Sequence, residues 1–282
     1  MAETKPNSWK TKLIILAAFI LVIINTAEVD WAAEHESVGL FIRIFWLASL
    51  LGLGLLLSIG IIYLAGNRDT ERTEKDKKWL LVAIILFLLA NGIPIIFYIV
   101  LGMSQGFFLY VQLVLFGLIP AYFLQPKRKI RRLELILILY ALIILPLGIL
   151  VNFTIDDLWG GITDKTMYYL SFWGLLMTFF YLIIAIGWKL GGGTKRQSWN
   201  IFIAGTLLQY STLEDFLYFF LNGQALPGVW PWMSNFVINL EALFGRVPTD
   251  FDLLIFCIII STIAILILFD VHGFVWKKVK SK

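Results

Sequence analysis

Two adjacent carboxylates, Glu214 and Asp215, lie inside a stretch that is otherwise apolar and long enough to cross a membrane. Acidic residues within a membrane span are costly, so they usually face a bundle interior or a hydrated cavity and have a partner there. Neighbouring residues on a helix point about 100° apart, so these two carboxylates cannot bind one small ion as a simple pair. Residues 210–220 are therefore the first place to look for function.

Arg43 is the candidate counter-charge for one of these carboxylates. A helical rise of about 1.5 Å per residue places Arg43, Gln112 and both carboxylates at one level, in the outer third of the hydrocarbon layer. We expect one carboxylate, with a slight preference for Asp215, to pair with Arg43 while the other faces a cavity. The alternative is a structural ion pair between the second and seventh spans. One Arg leaves a surplus acid, which a low-dielectric site can keep protonated near neutral pH.

Other polar side chains within the predicted spans are candidate binding residues. Tyr210, Glu214 and Tyr218 are spaced four apart, so they would form one stripe on a continuous helix. Asn91 and Gln209 both come out near the bilayer midplane. Asn91 also adjoins a proline-kinked turn, and interrupted helices of this kind line transporter sites. Hydrogen bonding between helices is an equally simple explanation for both amides.

The composition is that of an integral membrane protein. Of 282 residues, 60% are hydrophobic and 15% are charged, whereas a soluble domain has about 25% charged residues. About 20 apolar residues cross the bilayer, so we predict an all-α fold with eight transmembrane helices in a single domain. The predicted spans are residues 13–31, 39–65, 79–103, 107–124, 134–151, 166–188, 199–221 and 251–276.

The connection between the seventh and eighth predicted spans contains a candidate amphipathic helix. Over residues 232–244, apolar side chains recur at helical spacing on one face, and Glu241 lies off that face. Such a short helix most often lies flat in the membrane interface. We expect it on the outer side, where Glu241 becomes a further candidate binding residue.

The distribution of charge predicts the orientation of the chain. Of the 23 Lys and Arg residues, only Arg43, Lys165 and Arg246 fall outside the segments that this reading places in the cytoplasm. The bias predicts a protein of the cell membrane with both termini in the cytoplasm. Twelve of the 19 acidic residues lie on or open to the outer half, so the outer mouth should attract cations. Acidic loops that only keep the surface solvated are the alternative.

The histidine and cysteine content limits the kinds of site that the chain can form. His35 and His272 are the only histidines and Cys257 is the only cysteine. A histidine-rich metal centre and an intrachain disulfide are therefore both excluded. We expect no cofactor, no metal and no nucleic-acid partner. The expected partners are membrane lipids and a small cation, solute or lipid substrate.

Residues 213–219 resemble a short pattern found in one family of membrane enzymes. The run Leu-Glu-Asp-Phe-Leu-Tyr-Phe is similar to the Pro-x-Glu-Glu-x-x-Phe-Phe pattern of the small integral-membrane lycopene cyclases, with Thr212 in place of the proline. The resemblance implies an acidic pair that protonates a polyene. It covers fewer than ten residues, and we assign no family from it.

Three functions are consistent with these observations. A transporter or ion-coupled permease for a small cation or solute is favoured. An intramembrane enzyme acting on a lipid or isoprenoid is the second, with Glu214 as general acid and Asp215 beside it as catalytic residues. The third is a non-catalytic membrane scaffold whose outer segment docks another protein through Trp230, Trp232 and Phe236.

Overall fold

The structure is a computed structural model that describes residues 9–35, 38–66, 172–173, 177–233 and 240–271. Within these ranges the chain is helical, without strands, and has an isolated β-bridge between Val229 and Thr249. The all-α prediction is therefore confirmed for the described residues. Numbered in chain order, their helices are α1 Trp9–Glu34, α2 Leu40–Leu64, α3 Thr178–Leu190, α4 Lys195–Gln209, α5 Leu213–Leu221, α6 Leu240–Phe244 and α7 Asp250–Leu268, with a 3-10 helix at Pro231–Met233.

Three helices in the described part of the chain are long and apolar enough to cross a membrane. They are α1, α2 and α7, with 26, 25 and 19 residues, and their lengths indicate a membrane protein. Each overlaps a span predicted from hydropathy. The predicted spans at 79–103, 107–124 and 134–151 lie outside the described residues, as does part of the predicted span at 166–188.

The seventh predicted span, 199–221, is not one continuous helix, and this expectation is corrected. Helix α4 ends at Gln209 and α5 begins at Leu213. Between them, Thr212 adopts the left-handed conformation with a φ of 67°, which is an outlier for a β-branched residue. Backbone strain of this kind persists only where surrounding contacts hold it. Residues 210–212 therefore form a fixed break between two helices.

Hydrogen bonds to α7 hold the break in place. Thr212 Oγ1 donates to the Leu253 carbonyl at 3.3 Å, and Ser261 Oγ donates to Ser211 Oγ at 3.1 Å. The Cys257 sulfur lies 3.9 Å from Ser261 Oγ, so the thiol belongs to the same polar line. These partners are distant in sequence, which is why the apolar continuity of the span did not predict the break.

The chain divides into two compact units. The first comprises Met1–Leu13 and Leu51–Phe202, and the second comprises Ile14–Leu50 and Ile203–Lys282. The candidate site lies in the second unit.

Within the first unit, α2 and α3 pack closely through small residues. The ring of Phe180 occupies the space where a Cβ at Gly54 would stand. A Cβ added at Gly187 would come within 2.5 Å of Ile61 Cγ2 and 2.9 Å of the Ser58 carbonyl oxygen. Glycine at these positions therefore lets the two helices approach at backbone distance, as small residues do in membrane helix pairs.

Helix α4 begins at a capping box that follows a glycine turn. Gln197 N donates to Thr194 Oγ1 at 3.2 Å, and Thr194 N donates to Gln197 Oε1 at 3.1 Å. This reciprocal arrangement satisfies two amides at a helix N-terminus. Gly192 takes the left-handed turn with a φ of 93°. Ser198 Oγ then donates to the Ala185 carbonyl at 2.6 Å, which ties α4 to α3.

In the second unit, the segment after α5 folds into a small apolar core around Trp230. The Trp230 side chain is fully buried and packs with Met233, Leu240 and Leu253. Its ring centroid lies 5.2 Å from that of Phe219. The burial corrects one feature of the scaffold hypothesis, because Trp230 does not present a surface to a partner protein. An aromatic ring serves the folded chain better here, since it removes a large apolar area from water.

The amphipathic helix predicted over residues 232–244 is only partly described. Its first residues belong to the 3-10 helix Pro231–Met233 and its last form α6, Leu240–Phe244. Residues 234–239, including Phe236, lie outside the described part, as does the side chain of Trp232. Leu240 is buried against Trp230 as the apolar face requires, and Glu241 is exposed.

Helix α7 begins at a second capping box. Asp252 Oδ2 accepts hydrogen bonds from Thr249 N at 2.9 Å and from Thr249 Oγ1 at 2.7 Å. Arg246 adds a two-pronged ion pair to the same carboxylate, with N–O distances of 2.8 and 3.0 Å. The two contacts fix the residue at which α7 starts, and with it the register of the residues that hold the break.

Candidate functional site

Glu214 is the buried centre of the candidate site. It lies in the first turn of α5 and is 2% exposed. The positive end of the helix dipole favours an acid at this place. Within the described part of the chain, however, Glu214 Oε1 has no hydrogen-bond partner. Leaving such a buried polar atom unsatisfied costs about 1–3 kcal/mol, so it calls for an explanation beyond packing.

Helix α1 brings two further acids to Glu214. Asp30 and Glu34 lie four residues apart, so they share one face of α1. Together with Asp215 they are close enough for their charges to act on Glu214. Asp30 is itself buried, whereas Glu34 and Asp215 are half-buried. We call Asp30, Glu34, Glu214 and Asp215 the acidic cluster.

The acidic cluster does not have the geometry of a metal centre. Among the described residues, no group of three His, Cys, Asp or Glu side chains is placed to hold a metal ion. Its carboxylates come from two helices, α1 and α5. The cluster instead produces a region of negative potential, which would attract a cation of any kind.

Aromatic rings border the acidic cluster. Tyr218 Oη donates to Glu34 Oε2 at 3.0 Å, and the Tyr218 ring meets the Trp31 ring edge to face with centroids 5.2 Å apart. His35 stacks on Trp31 at 3.5 Å. All four of these side chains are half-buried. We call Trp31, His35 and Tyr218 the aromatic rim.

Arg43 lies at the start of α2, close to the end of α1. Its Nη2 donates to the carbonyl oxygen of His35 at 3.0 Å. This hydrogen bond ties Arg43 to the residue that ends the aromatic rim. The predicted ion pair between Arg43 and one of the two adjacent carboxylates, Asp215 by preference, stays a prediction.

The helix break changes the geometry of the other candidates on the seventh predicted span. Gln209 is buried at the last residue of α4, and Tyr210 lies in the break, half-buried. The predicted stripe of Tyr210, Glu214 and Tyr218 is therefore interrupted. Glu214 and Tyr218 keep their shared helix, because both lie within α5.

Three remaining candidates are not brought into the site by the described structure. Glu241 lies in the first turn of α6 and is exposed. Asn91 and Gln112 lie outside the described residues, so their proposed roles stay predictions.

The sequence reasoning did not single out Asp30, Glu34 or Trp31 as site residues. It counted the two acids only as part of the charge of the outer side. Their spacing of four residues at the end of the first span was the available signal, since it places both carboxylates on one helical face. The partner of that face could not be deduced from α1 alone.

The chain matches no protein-family model, no curated protein and no solved structure. The function is therefore argued from the acidic cluster, the aromatic rim and the helix break.

Proposed function

We propose that the protein is a multi-pass permease of the cell membrane that binds a small cation or solute at the acidic cluster. In the proposed topology eight helices span the membrane, both termini are cytoplasmic and the acidic cluster opens to the outer side. The bias of Lys and Arg toward alternate loops supports this orientation. The length of α1, α2 and α7 supports a location in the membrane.

The observation that carries the proposal is the buried Oε1 of Glu214, which lies directly after a helix break and has no hydrogen-bond partner among the described residues. Transporters bind substrates and coupling ions where helices are interrupted, because backbone and side-chain groups there lie outside the regular hydrogen-bond ladder. Glu214 is the second residue of α5, and residues 210–212, which precede α5, belong to no helix. A carboxyl oxygen in that place is suited to accept a proton or to face a cation.

The neighbours of Glu214 provide a reason for binding to be coupled to movement. Asp30, Glu34 and Asp215 repel a negative charge on Glu214. Binding relieves that repulsion. A ligand shifts a conformational equilibrium when it favours one of two states, and the strained break between α4 and α5 is the element that such a shift would move.

The proposal is tested by flux measurements on full-length protein in liposomes. We expect the wild type to carry a flux that depends on an imposed Na⁺ or proton gradient. Glu214→Gln keeps the size of the side chain and removes its charge, so it should lower the flux at least about tenfold. Asp250→Asn is the matched control, because Asp250 is an exposed acid at the start of α7 and its loss should leave the flux unchanged.

Two results would contradict the proposal. One is a wild-type protein that shows no cation-dependent flux in sealed liposomes. The other is a folded Glu214→Gln variant, checked by size-exclusion chromatography, that transports as fast as the wild type. If Glu214→Gln does not fold, Glu214→Asp provides the test, since the shortened carboxylate must still change the rate or the cation dependence.

A further inference from the structure

We infer that the acidic cluster and the aromatic rim together bind a small organic ammonium ion. The inference rests on the proposed function for the location of the site, and it narrows the ligand from any cation or solute to one chemical class. Three observations support it. Glu214 has a buried carboxyl oxygen without a donor among the described residues, and further acids lie beside it. The aromatic rim adjoins these acids through the hydrogen bond from Tyr218 to Glu34.

The charge of the site selects a cation. Glu214 is almost completely buried and its Oε1 has no partner within the described residues. The charges of Asp215, Asp30 and Glu34 act on it. An anion would add to this repulsion, whereas a cation offsets it. The ligand group that reaches Glu214 is therefore positively charged.

The rings favour an organic cation over an inorganic one. Trp31 lies between Asp30 and Glu34 in the sequence of α1. Its ring contacts the ring of Tyr218, whose hydroxyl group donates a hydrogen bond to Glu34. Ammonium groups that carry methyl or methylene substituents are attracted to the faces of aromatic rings, with Trp the strongest partner, and they lose little hydration on binding. A small, strongly hydrated metal ion gains much less from such a rim.

The distribution of the carboxylates over two helices agrees with a ligand larger than a metal ion. The described part of the chain has no three-ligand group suited to a metal. The acids are distributed over α1 and α5, with the rings of Trp31 and Tyr218 beside them. An alkylated ammonium ion needs no close coordination shell, because its charge is spread over the substituents. It can therefore be held by separate carboxylates and ring faces.

Burial also orders the site from its surface inward. Trp31, Glu34 and Tyr218 are half-buried, whereas Asp30 and Glu214 are buried. The aromatic rim is therefore more accessible to solvent than Asp30 and Glu214. This order suits a molecule with a cationic head, because the rings can exchange for the water that surrounds the head.

Binding of choline to the full-length protein in detergent, measured by isothermal titration calorimetry, tests the inference. The comparison ligand is 3,3-dimethylbutan-1-ol, which has the shape of choline with carbon in place of the charged nitrogen. We expect saturable binding of choline and at least about tenfold weaker binding of the neutral compound. NaCl at the same ionic strength should compete with choline only weakly, because a sodium ion lacks the alkyl groups that the rim contacts.

Variants of Trp31 separate a ligand contact from a packing role. Trp31→Leu should weaken choline binding roughly 3- to 30-fold, and Trp31→Phe should fall between Leu and Trp, since cation–π attraction ranks in that order. Trp9→Leu is the matched control, because Trp9 is an exposed residue of the same helix. Its affinity for choline should equal that of the wild type.

The inference is overturned if the folded wild type shows no saturable choline binding, if the neutral compound binds equally well, or if Trp31→Leu binds like the wild type. Failure here and failure of the proposed function are distinguishable. A Glu214-dependent cation flux without choline binding would reject the organic ammonium ligand and would support the proposed permease function. Choline binding with the expected ranking but no flux confirms the ligand class and removes transport.

Discussion

At the scale of single residues, the site is defined by a conflict between charge and burial. Asp30 and Glu214 are both buried in the second unit and act on each other electrostatically. Glu34 is stabilised by a hydrogen bond, which it accepts from the Tyr218 hydroxyl group at 3.0 Å. Hydrogen bonds to a charged acceptor are among the stronger ones in proteins. This bond therefore joins α1 to α5 and holds one acid of the cluster in position.

Removal of the Tyr218 hydroxyl should measure the strength of that link. Tyr218→Phe keeps the ring contact with Trp31 and deletes the hydrogen bond to Glu34. We expect the free energy of unfolding to fall by about 1–2 kcal/mol. The measurement is reversible unfolding in mixed micelles as the fraction of denaturing detergent is raised.

The control for this experiment is Tyr63→Phe. Tyr63 is 56% exposed, so loss of its hydroxyl should change the free energy of unfolding by less than about 0.5 kcal/mol. Equal effects of the two substitutions would show that the Tyr218 hydroxyl makes no special contribution.

Three of the seven residues in the acidic cluster and the aromatic rim were singled out from the sequence: Glu214, Asp215 and Tyr218. Glu214 and Tyr218 were predicted because an acid in an apolar run is conspicuous by its cost. Asp30 and Glu34 were not, because acids near the end of a span are ordinary and only the packing of α1 beside α5 gives them a role. The contact between two helices depends on the whole fold and is not written in either helix.

At the scale of elements, the helix break could not be predicted from the sequence, whereas the long apolar helices could. The break at residues 210–212 contains no Gly or Pro from which it could be predicted. It is held by Ser and Thr hydroxyl groups that form hydrogen bonds to α7 and to a nearby backbone carbonyl. Local propensity is a weak guide where such tertiary bonds compete with the helix. Helices α1, α2 and α7 could be predicted, because their apolar length alone identifies them.

Two glycines in α2 and α3 should respond in opposite ways to the same substitution. Gly187→Ala places a methyl group against the Ser58 carbonyl and Ile61, so α2 and α3 must separate. We expect a loss of about 1–3 kcal/mol in the free energy of unfolding. Gly60→Ala meets nothing within 4 Å and should be neutral or stabilise by about 0.5–1 kcal/mol, since Ala is the better helix former.

The same detergent titration reports both variants. Equal stability of Gly187→Ala and Gly60→Ala would show that α2 and α3 do not need glycine to pack at backbone distance.

At the scale of the whole molecule, charge and hydropathy carry most of the information. The distribution of Lys and Arg predicts an orientation without any knowledge of helix packing, since it reflects insertion and not the folded contacts. Hydropathy does not predict which helices pack against one another. The joining of α1, α5 and α7 around the site is therefore a structural finding, whereas the number of spans is a proposal from the sequence.

The proposed topology is tested by cysteine labelling in intact cells. Starting from Cys257→Ala, a single cysteine replaces Lys129 in a proposed cytoplasmic loop or Asp157 in a proposed outer loop. A membrane-impermeant maleimide should label Asp157→Cys directly and Lys129→Cys only after lysis. Labelling of Lys129→Cys in sealed cells would reverse the orientation and place the acidic cluster on the other side.

The natural chain also carries its own probe of the helix break. Cys257 is its single cysteine, it is buried, and its sulfur lies beside the serine that bonds to Ser211. We expect that parting of those hydroxyls would expose the sulfur to a thiol reagent. The alkylation rate of the unmodified protein should therefore report how often the helix break opens locally. A slower rate with a bound ligand would show that the ligand prefers the closed conformation.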